Sequence, residues 1–305
     1  MRKFLLALTV TLILAAALAY SDTPMSPLYP KFRVKVAKPG EGKSRVKLRL
    51  PTPDLSKPNK WAVVIGIADY EGAESDLWHP DEDAREMYRA LVKEYGFARD
   101  HVVLLVNKMA TLSVILGAID WLLAWENETS TVVFFFSGHG YNLDEELTAE
   151  YEYPIDENDG VDEAIVSYDR YAILDDLLSM KLSQLEASRV FLCFVSCFSG
   201  GMDDVFKALK DGRTVVLVAA CGERQFTYDV LYLGNTLFGY YYVDEGILDG
   251  EGDGWGPNGV EDGLITVEEA FYYADSYVNS FVEAHGLTES DPEIFDTDEE
   301  ADLYP

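Results

Sequence analysis

Cys197 follows the apolar run Val190-Phe191-Leu192-Cys193-Phe194-Val195 and precedes Phe198-Ser199-Gly200-Gly201. A thiol between a buried strand and a glycine-rich turn sits where a nucleophile is useful, because main-chain N–H groups surround it and parallel strands end in ligand-binding crevices. Fifty-eight residues earlier a second apolar run, Thr131–Phe136, leads into Ser137-Gly138-His139-Gly140. If the two runs are neighbouring parallel strands, the sulfur and the imidazole emerge at one edge. His139 could then take the thiol proton and return it to a leaving amine while the thiolate attacks a carbonyl. The N–H groups of Gly140 and Cys197 could hold the developing oxyanion. Taken singly, His139 reads equally as a turn histidine and Cys197 as an inert core cysteine; the coincidence of both patterns specifies acyl-transfer chemistry.

The elements that must position these groups are legible from Lys60 onward. Trp61–Ile67, Val102–Val106, Thr131–Phe136, Arg189–Ser196 and Thr214–Ala220 read as apolar strands. Between them Asp81–Tyr95 carries Ala84, Met87, Tyr88 and Leu91 at helical spacing, and Thr111–Trp125 reads as a second helix that Thr111 could cap. Alternating strands and helices imply an α/β domain, a mainly parallel sheet with helices on both faces. Asp144–Asp169 reads as a long acidic, irregular insertion, more functional than connecting.

The chain of 305 residues has a formal charge of −30, which excludes a general nucleic-acid binder and favours cations and basic partners. That charge is unevenly spread. Residues 1–50 hold ten Lys/Arg and two Asp/Glu, net +8; the remainder holds fourteen against fifty-two, net −38. Arg2-Lys3, the apolar Phe4–Leu14 and Ala17-Leu18-Ala19 form a secretory signal over residues 1–19, the alternative being an uncleaved membrane anchor. Residues 20–58 alternate apolar and basic at Phe32–Val36 and Val46–Leu50 about Pro39-Gly40, which predicts a basic hairpin. It could be an ordinary edge hairpin or a pro-segment held over the cleft by complementary charge. Three cysteines argue against a disulfide framework; Cys193 reads as strand core and Cys221 as a strand end, a bridge between them being left open. His79, His101 and His285 lack ligand-like spacing and read as surface or loop residues.

One acidic loop has metal-ligand spacing. Asp249, Glu251 and Asp253 with Gly254 match the first half of an EF-hand loop, and Asp262-Gly263 through Glu269 match the second half, entering a helix over Thr266–His285. Val260 at the twelfth position of the first piece is not a ligand, so an EF-hand with an insertion or a solvated acidic loop are both open.

Phe135-Phe136-Ser137-Gly138-His139-Gly140 and Ser196-Cys197-Phe198-Ser199-Gly200-Gly201 resemble the caspase-like cysteine peptidases, metacaspases in particular, with a Cys-x-Ser-Gly element like that of legumain-type enzymes. Val64–Ile67, Leu77 with Asp83-Ala84, Asp159–Ala164 and Ala219–Cys221 extend the resemblance from Trp61 to about Ala274. The resemblance implies a caspase-like three-layer sandwich over residues 59–290, with 291–305 as an acidic tail. It implies Cys197 as nucleophile, His139 as acid/base and Gly140 in the oxyanion site. Asp83 matches an acid of the S1 pocket; the second family acid falls at Val195, beside Ser196, so a basic P1 residue is expected from one carboxylate. Aspartates matching Asp159, Asp175, Asp176 and Asp204 form an activating calcium site in metacaspases, so Ca2+ is an expected cofactor here and no organic cofactor is.

The function expected is an exported endopeptidase acting on a protein or peptide, with no nucleic-acid partner and a membrane contact only if the signal stays uncleaved. A calcium-dependent surface binding protein without turnover and a transpeptidase are the alternatives; the oligomeric state is not encoded legibly.

Overall fold

The computed structural model describes residues 25–40, 50–154, 157, 159–298 and 304–305. The signal at 1–19 and most of the second arm of the basic hairpin fall outside them. Among the described residues thirteen strands run in chain order: β1 Met25–Pro27, β2 Lys35–Val36, β3 Lys60–Gly66, β4 Val102–Val106, β5 Thr131–Ser137, β6 Gly140–Asp144, β7 Val161–Val166, β8 Tyr171–Leu174, β9 Arg189–Val195, β10 Thr214–Ala219, β11 Tyr228–Val230, β12 Asn235–Thr236 and β13 Glu293–Asp296. The main helices are α1 Pro80–Lys93, α2 Leu112–Trp125, α3 Asp175–Leu182, α4 Asp203–Leu209 and α5 Val267–His285.

The central sheet has the order β13-β10-β9-β5-β3-β4, parallel except for β13. Consecutive residues of β3, β5 and β9 are buried, as strands covered on both faces require, which explains their unbroken Val, Ile and Phe runs. Pro80 opens α1 and Asp81, Glu82 and Asp83 fill its first turn, where the free N–H groups favour negative charge. Thr111 precedes α2 without its side chain capping it. The acidic loop is closed by a capping box: Glu269 Oε2 accepts from Thr266 N, and Glu269 N donates to Thr266 Oγ1.

Several stretches differ from the sequence expectation. The segment read as an irregular insertion contains β7 and follows β6, and these pair antiparallel in a second sheet of order β2-β8-β7-β6. Its acids hid the alternation, because Asp162 and Glu163 lie buried inside β7. The basic arm contributes β2, which pairs in parallel with β8. Residues read as the acidic tail form β13, antiparallel to β10, and Lys60 Nζ donates to the Pro305 carbonyl at 2.7 Å. His101, read as a surface or loop residue, is fully buried and stacks on Trp61 with ring centroids 4.0 Å apart. All three cysteines are buried and unbridged.

Phe135 is wholly buried at the middle of β5, opposite Val64 on β3 and Cys193 on β9. Phe135→Ala is expected to cost about 3–5 kcal/mol in urea unfolding, with the slope of the transition unchanged.

Candidate active site

Ser137 on β5 lies opposite Val195 on β9. Gly138-His139 and Ser196-Cys197 therefore leave adjacent strands at the same edge. The Gly138 N–H donates to the Val195 carbonyl at 3.1 Å, carrying the pairing one step past the strands. Beyond it Gly140 lies directly against the Cys197 main chain: a Cβ there would fall 1.9 Å from the Cys197 carbonyl oxygen. No residue but glycine can bring the two loops this close. Phe198, next to Cys197, adopts φ 61°, a left-handed conformation uncommon for an aromatic residue. Its N–H is held by the Gln225 carbonyl at 2.9 Å.

The histidine's tautomer follows from its partners. Nε2 lies 2.7 Å from the Ser75 carbonyl, an acceptor only, so the ring proton resides there. Nδ1 is left as a bare lone pair, buried and with no hydrogen-bond partner. The Tyr70 hydroxyl accepts from His139 N at 2.7 Å, and its ring lies 4.6 Å from the imidazole. Burial lowers the His139 pKa to about 4 and drives the Cys197 thiol well above its usual range, the charge on Cys221 adding to that effect. The dyad is thus neutral thiol and neutral imidazole, with the basic nitrogen available.

A peptide segment of the chain itself fills the cleft. β1 pairs antiparallel with β11, setting Pro27 opposite Tyr228. Leu28 N–H then donates to the Thr227 carbonyl at 3.0 Å, and the Leu28 carbonyl accepts from Gly140 N–H at 2.9 Å. The Leu28 main chain touches both the imidazole and the sulfur. Cys197 Sγ also lies 3.6 Å from the Thr227 carbonyl. Sequence reading missed Leu28, Tyr70, Ser75 and Thr227, which act through main-chain atoms or a lone hydroxyl and leave no mark in residue type.

Asp83 is fully buried. Its carboxylate accepts from Ser137 Oγ and Thr236 Oγ1 at 2.7 Å, Thr236 N at 3.1 Å and Asn235 Nδ2 at 3.2 Å. Burial raises its pKa to about 6 against these bonds, and Glu86, joined through Asn235 Nδ2 at 2.6 Å, is raised to about 7. Val195 and Ser196 are buried between the strand end and Cys197, the Ser196 carbonyl accepting from the Cys221 thiol at 3.4 Å.

Beside the nucleophile loop a second group of acids converges. Single carboxylate oxygens of Glu157, Asp175 and Asp204, and of Asp162, Asp175 and Asp176, come within 4.8 Å of one another. Asp175 Oδ2 is buried with no hydrogen-bond partner, and burial followed by the Glu163 charge pushes the Asp175 pKa well up. Glu163, packed where a Gly201 Cβ would be, is itself raised to about 9, by burial and then by Glu223. An all-oxygen set around an unmatched carboxylate oxygen fits a hard divalent cation. Asp159 instead binds the Arg224 guanidinium, 2.8 Å from Nη2 and 3.1 Å from Nε, and Asp204 also receives Lys207 at 2.6 Å. Glu157 and Asp162 were not singled out from the sequence as ligands, although they stand two residues before and three after Asp159 in the same acidic run.

The EF-hand-like loop is arranged differently. Glu269 Oε1 accepts from Gly254 N and Val260 N, Asp253 from Asp262 N and Gly263 N, and Asp262 from Leu264 N. Its carboxylates tie the loop to its own main chain. Among the described residues, no three of Asp249, Glu251, Asp253, Asp262 and Glu269 gather into a cluster.

Residues 59–263 match the sequence family described as the caspase domain. The chain is 32% identical over 154 residues to metacaspase-4 of Arabidopsis thaliana, a match covering 48% of this chain and 35% of the relative. It is 32% identical over 157 residues to metacaspase-1 of Candida albicans, covering 48% and 34%. The chain thus spans about a third of the length of the curated relatives it matches. A crystal structure of a Geobacter sulfurreducens protein superposes with a TM-score of 0.52 at 19% identity, over 78% of this chain and 93% of that one, which shows likeness of fold.

Two outcomes are expected. Gly140→Ala forces the Cys197 loop away and should lower acylation of the thiol by a peptidyl electrophile at least about 100-fold, in line with loss of an oxyanion donor; mass spectrometry of the adduct reads it. Because folding holds His139 near pKa 4 against 6.5 in the free side chain, its contribution to stability is complete above about pH 6.5 and is lost as the pH falls towards 4. Over that window the wild type should lose roughly 3 kcal/mol relative to His139→Gln, which cannot protonate there, measured by denaturant titration at each pH.

Proposed function

This chain belongs to the caspase domain family, and from that membership we propose that it is an exported cysteine endopeptidase acting through Cys197 and His139. The observation that carries the reading is the Leu28 carbonyl, held 2.9 Å from Gly140 N, with the Leu28 main chain beside both the imidazole and the sulfur. The cleft binds a peptide carbonyl where acyl transfer needs one. In a bound substrate, His139 Nδ1 removes the thiol proton as Cys197 Sγ adds to the carbonyl carbon, and Gly140 N–H takes the charge that develops on oxygen. Collapse of the tetrahedral adduct breaks the C–N bond; His139 gives its proton to the departing amine and leaves a thioacyl enzyme. Water, deprotonated by Nδ1, then releases the acid and restores the thiol.

The finer points have separate supports. A basic P1 residue is supported by Asp83, which accepts from Ser137 Oγ two residues before His139, and by Glu86, joined to Asp83 through Asn235. Export is supported by the basic, apolar and small-residue succession at residues 2–19. Glu157, Asp162, Asp175, Asp176 and Asp204 would hold a calcium ion, which when bound neutralises their mutual repulsion and orders the nucleophile loop. Residues 25–32 would keep the enzyme latent until displaced, since the segment already satisfies Gly140 N–H.

An acyloxymethyl ketone peptide with Arg at P1, offered to the full chain with calcium and with chelator, tests the reading. Labelling of Cys197 that disappears in Cys197→Ala and drops at least about tenfold with chelator is expected, together with hydrolysis of the matching fluorogenic peptide. Asp175→Asn should lose the calcium response. Labelling without hydrolysis under any condition would instead favour a binding protein on this scaffold, and an amine-captured product a transpeptidase.

A further inference from the structure

Tyr29 is the residue after the carbonyl seated on Gly140 N–H, so in a cleaved peptide its position is that of the leaving amine's side chain. Its ring is enclosed by three others. It stacks on Tyr141 at 5.3 Å with the planes 7° apart, and meets Phe198 and Phe226 edge-on at 5.7 and 5.9 Å. Phe198 and Phe226 also pack on each other at 5.1 Å. The three come from separate elements around the dyad: Tyr141 from β6 just after Gly140, Phe198 from the residue after the nucleophile, Phe226 from the segment entering β11.

We infer that Tyr141, Phe198 and Phe226 form a prime-side subsite selecting an aromatic residue immediately after the scissile bond. The inference rests on the peptidase reading for its polarity, which the register fixes. Met25, Ser26 and Pro27 lie antiparallel along β11, Leu28 presents its carbonyl to Gly140 N–H, and Tyr29 follows on the far side of that carbonyl. Aliphatic or small residues would leave the stacked and edge-on faces uncovered, whereas a planar ring meets all three in the offset and T-shaped geometries aromatic pairs prefer. Two of the three walls adjoin catalytic positions in the chain, so the ring also fixes where the amine leaves. Phe198 can turn its ring into the cage because of its left-handed backbone. The rings supply the part Phe and Tyr share, and the Tyr29 hydroxyl adds a hydrogen bond with the Tyr141 side chain, so Tyr should bind at least as tightly as Phe.

The test uses the full chain with Leu28→Pro, which removes the N–H held by Thr227 and loosens the tethered segment, and Tyr29→Ser, which empties the cage, combined with Cys197→Ala so that binding is read without turnover. Peptides copying residues 25–31, with Leu28 kept or replaced by Arg and with Tyr, Phe, Leu or Ser in place of Tyr29, are titrated calorimetrically. Tyr and Phe should bind about tenfold more tightly than Ser, with Leu between. Phe226→Ala, and separately Tyr141→Ser, should each flatten that ratio to within about twofold while thermal unfolding shows a folded chain. Equal binding whichever of the four residues is present, absence of binding, or a ratio untouched by both substitutions would overturn the subsite. With Cys197 restored, hydrolysis that shows no prime-side preference would sink the subsite and leave the peptidase standing. An aromatic preference in binding without hydrolysis of any peptide would do the reverse.

Discussion

Parallel pairing of β5 with β9 places Ser137 opposite Val195, and two residues beyond each, His139 and Cys197 leave the sheet on one side. A shift of one residue in either strand would send one of these side chains to the other face. The register is protected by the burial of both strands on both faces, because slippage would carry Arg189 or the loop residues into the core. Gly140 tightens the constraint, since its missing side chain lets the histidine loop rest on the Cys197 carbonyl. The proposed nucleophile, base and oxyanion donor are therefore consequences of a single strand pair, and the remaining elements serve to enclose them.

Enclosure decides the chemistry's starting state. With sulfur and imidazole both buried, charge separation between them is unfavourable, and the pair rests neutral rather than as thiolate and imidazolium. In the proposed reaction the proton then moves as the carbonyl is attacked, which makes the orientation of Nδ1 decisive. Ser75 fixes it by occupying Nε2, and Tyr70 fixes the loop by accepting from His139 N. The same dryness acts on the acids nearby. Asp175 and Glu163 are held above their ordinary range because water cannot separate them, and their repulsion stands against the nucleophile loop through Gly201.

What could be read from the residues alone follows the reach of each signal. The strands of the central sheet are continuous apolar runs, and α1 has a periodic apolar face, so these elements and the meeting of Gly-His-Gly with Cys-x-Ser-Gly were legible. β7 was not, because Asp162 and Glu163 sit in it against every expectation for a buried strand, Asp162 gathered with Asp175 and Asp176 and Glu163 near Asp175. β13 was not, because Glu293 and Asp296 belong to an acidic stretch and only pairing with β10 makes it a strand. Asp159 and Glu157 are two residues apart in one acidic run, and nothing in spacing says which turns inward; Arg224, far along the chain, decides it by taking Asp159. Likewise the alternation of Phe32–Val36 announces a strand without naming its partner, which proves to be β8.

The basic start of the chain joins these threads. Net +8 over the first fifty residues and net −38 over the rest are opposite in sign, and opposite sign specifies no position. Position comes from main-chain bonds instead: β1 on β11, Leu28 on Thr227 and Gly140, and β2 on β8. The sheet edges set the segment's register, and main-chain bonds of this kind respond far less to salt than attraction between exposed charges. One N–H cannot hold two carbonyls at 2.9 Å, and Gly140 offers one. Occupation by Leu28 and occupation by a substrate are therefore exclusive states of one donor. A substrate succeeds only by replacing the whole ladder of bonds around Leu28, and the ring that follows it, with equivalents of its own.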